Sequence, residues 1–168
     1  PFVIIGGGGW DRASCDGLRA WLEASQLAAG TSFRCQDLLD SRSSSFAGDV
    51  GIGINPKLAQ RIREADVVLV IGARLGEMTT GGDTLFQAPV PSQTLVHVHG
   101  GAEELGRVYH AALPINSGMA RFVEALARRV HVDAEPLVLA ASQSTAHAED
   151  HAPAAQMIEH RELLGDAD

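Results

Sequence analysis

The chain has 168 residues and a mass of 17.7 kDa, with 45% apolar and 20% charged side chains, the size and balance of one globular domain around a single core. Thirteen Lys and Arg stand against 21 acidic residues, a formal charge of −8, which is the wrong sign for neutralising a phosphate backbone or an anionic lipid surface. No apolar run approaches the roughly 18 residues of a spanning helix, and the opening Pro1–Ile5 meets glycines before it can serve as a signal peptide, so a cytoplasmic protein with neither nucleic-acid nor membrane partners is expected.

The chain starts at Pro1 directly inside an apolar run, which suggests a piece of something longer. Phe2-Val3-Ile4-Ile5 followed by Gly6-Gly7-Gly8-Gly9 has the pattern of a strand buried on both faces that leaves its sheet at a glycine turn. Cys15, Leu18, Trp21, Leu22 and Leu27 then recur at helical spacing, predicting a helix from about Asp11 to Ala28 that Gly30 ends. Thr31–Cys35 suggests a short second strand, and the Ser/Gly-rich stretch from Asp40 to Gly53 reads as a loop. Asn55 as N-cap and Pro56 at the first helical position open a short helix whose stripe is Leu58, Ala59, Ile62 and Ala65. Val67–Ile71 is an uninterrupted, β-branched run, as a central parallel strand requires, and Gly72 closes it.

From Gly72 to Gln93 no period is visible, and so long a connection in a compact domain is more often a working loop than filler. Thr94–Val98 is the next strand, Glu103-Glu104-Leu105 a single turn, and Ala112–Ile115 an edge strand marked by Pro114. Met119, Phe122, Val123, Leu126, Ala127 and Val130 give the clearest helical stripe, with Arg128 and Arg129 at its C-terminal end. Residues 1–133 are expected to form the domain. Residues 134–168 read as an acidic linker or tail, whose last twenty residues hold six acids against Arg161 alone.

Alternation of strand and helix argues for a doubly wound, mainly parallel sheet with helices on both faces, a Rossmann-like α/β fold. Ligands of such sheets gather at the carboxyl ends of the strands, here Gly6–Trp10, Gly72–Gly82 and His97–Gly101. Gly6-x-Gly8 satisfies half of a dinucleotide fingerprint, but Asp11 falls where the third glycine belongs, and a carboxylate at a helix mouth repels phosphate. Arg74 has a cationic fork suited to a diphosphate or carboxylate, or else an ion pair with Asp83 or Glu77. The Thr79-Thr80-Gly81-Gly82 stretch offers hydroxyl and amide donors. Gly7, Gly8, Arg74 and Thr80 are therefore the candidate nucleotide-binding residues.

His97 and His99 lie on one face of a strand, but no nearby carboxylate or Cys completes a metal site. Glu103 and Glu104, beside Arg107, read as surface charge, and Cys15 and Cys35 as buried thiols. No catalytic residue is identified: Gly-x-Ser-x-Gly, a Walker lysine motif and His-Glu-x-x-His are all absent.

Three stretches carry a family resemblance. Phe2–Gly8, the segment Glu64-Ala65-Asp66-Val67-Val68-Leu69-Val70-Ile71-Gly72-Ala73-Arg74-Leu75, and Gln93–Val98 followed by Glu104-Leu105-Gly106-Arg107 resemble, in order and spacing, the central domain of thiamine-diphosphate-dependent enzymes of the acetolactate synthase type. The likeness runs from Pro1 to about Val130. It implies a DHS-like, NAD/FAD-binding topology and a parent enzyme of three domains, of which this is the middle one. In that family the flanking domains hold thiamine diphosphate and Mg²⁺, through an activating glutamate on one side and a Gly-Asp-Gly…Asn motif on the other. The intact enzymes add a thiamine carbanion to a 2-oxo acid, lose CO₂ and transfer the acyl carbanion. The middle domain is architectural, a support for its flanking domains and for a homo-oligomer.

Some family members also hold FAD or ADP in this domain. Flavin binders commonly show His-Ile-Asp-x-Asp-Pro where this chain has His97-Val98-His99-Gly100-Gly101-Ala102, and an acid and Arg where it has Glu77-Met78. An empty domain is thus the expectation, with FAD and ADP as alternatives. A second reading is a free-standing nucleotide-binding module for FAD, ADP or NAD, in the manner of sirtuins.

Overall fold

The computed structural model describes residues 1–130; the expected tail, 134–168, lies outside them. Six strands form one all-parallel sheet in the order β3-β2-β1-β4-β5-β6. They are β1 (Phe2–Ile5), β2 (Ala29–Ser32), β3 (Phe46–Val50), β4 (Val67–Ile71), β5 (Thr94–His99) and β6 (Leu113–Asn116). The helices are α1 (Arg12–Ala24), α2 (Pro56–Arg63), the single turn α3 (Glu77–Thr80) and α4 (Met119–Val130). This is the expected doubly wound Rossmann-like fold.

Alternation along β1 divides the core. Phe2 and Ile4 pack with Leu58 and Ile62 of α2, whereas Val3 and Ile5 pack with Leu18 and Leu22 of α1 and with Met119 and Val123 of α4. A strand covered on both faces must be apolar at every position, which is why β1 and β4 read as continuous hydrophobic runs.

Helix α1 ends four residues before the predicted Ala28. Gln26 adopts φ +53° and Leu27 N–H donates to Leu22 O at 3.0 Å, a left-handed closure in which the apolar residue just past the helix folds back on it. Leu27 continues the stripe in sequence while lying outside the helix, and Gly30 is a residue of β2. That strand starts two residues earlier than Thr31 and stops at Ser32, because Arg34 turns away at φ +63°.

The expected loop from Asp40 to Gly53 contains β3. An edge strand bonds on one side only, and this one carries Gly48 at φ +125°, a register shift against Ala29/Gly30, and Asp49, which accepts from Thr31 Oγ1 at 2.9 Å. None of this produces an alternating apolar pattern. The edge strand β6 and helices α2 and α4 stand where the sequence predicts them. Among the described residues no helix is long and apolar enough to cross a membrane.

Candidate functional site

The strand order reverses between β1 and β4, the point at which open parallel sheets leave a crevice outside their carboxyl ends. A cavity of 400 Å³ lies there, lined by Gly7, Gly8 and Gly9 after β1, Gly72 and Arg74 after β4, His99 at the end of β5, and the start of α4 at Gly118 and Met119. Among the described residues no carboxylate lines it. Arg74 and His99 are, among the described residues, its only side chains able to carry charge, and α4 brings the positive end of its dipole to the same place. Compact anions suit such a lining.

The glycines divide by role. A Cβ on Gly7, at φ +70°, would run into the Gly72 carbonyl, and one on Gly72, at φ +76°, would run into the Gly6 carbonyl. Both are glycine because β1 and β4 approach so closely as they leave the sheet. Gly8 has no positive φ and nothing within 4 Å of a built Cβ. Its missing side chain leaves room over the cavity rather than serving the turn.

Asp11 is spent locally. Its Oδ1 accepts the Ser14 N–H at 2.7 Å, and its own N–H donates to Ser14 Oγ at 3.0 Å, a capping box that closes the start of α1. That backbone hydrogen bond holds the Asp11 carboxyl below the usual carboxylate range. Asp11 does not line the cavity.

Of the four predicted residues, Gly7, Gly8 and Arg74 share this cavity and Thr80 does not. Thr80 is 1% exposed, with Oγ1 3.1 Å from Gly76 O and 2.9 Å from Asp83 Oδ1 while accepting the Asp83 N–H at 3.1 Å. It ties its own turn together. His99, Gly118 and Met119 escaped the sequence reading. His99 lies in the expected strand end His97–Gly101 but is not among the candidate binding residues, and the approach of α4 to β1 depends on packing.

A second cavity, of 340 Å³, lies on the other side of Arg74 and is bordered by His97, Glu104, Arg107 and Tyr109. Arg74 pairs with neither Asp83 nor Glu77. Its Nε lies 3.5 Å from Glu104 Oε1, and Arg107 Nη1 lies 3.1 Å from the same oxygen. Asp83 instead accepts from Tyr109 O–H at 2.9 Å, and Glu77 is exposed on α3. The solvated-turn reading of Glu104 is likewise corrected, for its side chain is 8% exposed and compensated by two guanidinium groups.

The two histidines bond to backbone. His97 Nε2 donates to Ala73 O at 2.9 Å, and His99 Nδ1 accepts the Gly101 N–H at 3.0 Å. Burial, the dominant cause, pushes the His97 imidazole below its ordinary pKa. Among the described residues no three His, Cys, Asp or Glu side chains are grouped to hold a metal. Cys15 and Cys35 are free but half-buried rather than fully buried, and burial raises the Cys15 thiol.

A family model described as thiamine pyrophosphate enzyme, central domain, matches residues 1–126. A search of curated proteins finds no match.

Proposed function

Since the chain belongs to the family of thiamine pyrophosphate enzyme central domains, we propose that it is the central, non-catalytic domain of a 2-oxo acid carboligase or decarboxylase of the acetolactate synthase type. The family match over residues 1–126 carries this reading. The chemistry of the described residues supports it. Thiamine diphosphate in such enzymes requires Mg²⁺, a hard cation that takes oxygen ligands, and among the described residues the glycine-lined cavity offers no carboxylate. These residues do not fit that cofactor as a metal complex. In this reading it belongs to flanking catalytic domains of the same chain, the domain's partners within a homo-oligomeric, cytoplasmic parent enzyme. The net charge of −8 speaks against nucleic acid and membrane as partners.

The test is turnover. The purified 168-residue chain, supplied with pyruvate, thiamine diphosphate and Mg²⁺, should form no acetolactate; measurable product from the chain alone would overturn the assignment.

A second reading, a free-standing module for FAD, ADP or NAD, draws on one observation: the cavity at the β1/β4 reversal, lined by no acid among the described residues, has open space above Gly8 and a guanidinium in its lining. A diphosphate without metal would meet backbone N–H groups, Arg74 and His99 there. A flavin absorbance scan and a thermal shift series with the three nucleotides discriminate. Real binding at a hundredfold excess over Kd stabilises by about 2.7 kcal/mol.

A further inference from the structure

Three large apolar residues from separate segments stand exposed at the carboxyl end of the sheet. Phe33 follows β2 and is 39% exposed, Ile52 follows β3 and is 65% exposed, and Met78 lies on α3 at 45%. Gly51, beside Ile52, lies between the other two: a Cβ there, at φ +139°, would fall 2.7 Å from Met78 O and 3.5 Å from Phe33 Cβ. Glycine lets α3 close on the end of β3, so backbone packing brings the three segments together without a partner. Exposed apolar side chains scattered singly need no explanation, but a gathered set marks an interaction surface.

Opposite charges flank this face. Arg34, next to Phe33, holds its guanidinium 5.2 Å from the centre of the Phe33 ring, and Glu77, next to Met78, is exposed. Among the described residues neither forms an ion pair, with the other or with any third group. One charge belongs to the β2 side of Gly51 and the other to the α3 side.

We propose that two copies of the chain dimerise through this face about a twofold axis, with Phe33, Ile52 and Met78 of both at its centre and Arg34 of each against the partner's Glu77. A twofold axis makes one patch its own complement, and an apolar centre between a cation and an anion becomes complementary in charge as well as in polarity. An unlike partner would have to bring both charges at matching positions; a second copy carries them already. Three apolar side chains per copy make a small interface, so the association is weak, with a Kd of about 10 to 500 µM. The dimer does not depend on the catalytic reading of the parent enzyme.

Sedimentation equilibrium of the 168-residue chain at concentrations up to about 1 mM should show a monomer–dimer equilibrium. Ile52→Asp should weaken it about tenfold or more, by placing a carboxylate in the apolar centre. Arg34→Glu and Glu77→Arg should each weaken it about tenfold, since each sets like charges together twice across the axis, and the double swap should return Kd to within about threefold of the parent. Leu113→Asp, at a residue 52% exposed on β6 at the opposite edge of the sheet, should leave the equilibrium unchanged. A chain that stays monomeric throughout, a dimer indifferent to Ile52→Asp, a double swap that fails to recover, or an equal loss from Leu113→Asp would each overturn the proposal; the first would give this face to an unlike partner. Should a swapped variant fail to fold, the parent and Ile52→Asp still decide.

Discussion

Gly7 and Gly72 lie backbone against backbone, so close that a methyl group on Gly7 would overlap the Gly72 carbonyl. Gly7→Ala combines overpacking with a left-handed backbone and should lower stability by about 3 kcal/mol. Gly8→Ala, one residue on, meets nothing within 4 Å and should stay within about 0.5 kcal/mol of the parent. Urea unfolding of the two variants measures the contrast. Equal losses would mean that Gly8 also has a packing role.

The Glu104 carboxylate is shared by two exposed cations. Removing either one leaves the other in place, so Arg74→Ala and Arg107→Ala should each cost less than about 1 kcal/mol. Removing both strands a buried carboxylate, and the double variant should lose about 2 to 3 kcal/mol, more than the single losses combined. A double-mutant cycle reads the excess directly.

Stability should depend on pH through His97. Burial depresses its native pKa below the ordinary 6.5, so between the native value and 6.5 the unfolded chain binds a proton that the folded chain refuses. Stability therefore rises with pH through that window, is fully present above 6.5, and is lost as the medium acidifies toward the native pKa. Urea midpoints across this range, compared with those of His97→Gln, should show the step flattened in the variant.

Thr80 should prove to be a fastener of its turn. Thr80→Val leaves the Asp83 N–H without its partner and the Asp83 carboxylate with Tyr109 O–H alone, and should cost about 1 to 2 kcal/mol. Thermal protection of the chain by any nucleotide in the glycine cavity should be unchanged. A selective loss of that protection would return Thr80 to the ligand.

Much of the fold is legible because burial on both faces imposes a pattern that sequence displays. β1 and β4 are short, wholly apolar and closed by glycine, α2 announces itself by Asn55-Pro56, and α4 by its stripe. β3 is not legible, since an edge strand with one bonded side and a glycine at its register shift needs no alternation. The end of α1 is misread for a related reason: Leu27 is apolar to close the helix, not to extend it.

The sequence by itself determined the fold class, the family, and three of the residues around the glycine cavity, because strand burial, glycine turns and motif spacing are local in the chain. Tertiary structure alone decided which partner Arg74 takes, that Glu104 is buried, that Thr80 faces inward, and that His97 bonds the Ala73 carbonyl. Each of these depends on segments brought together by strand pairing or loop packing. Charge and residue type announce what a side chain can do, but only the packed neighbours settle whether solvent, a counter-ion or a ligand satisfies it.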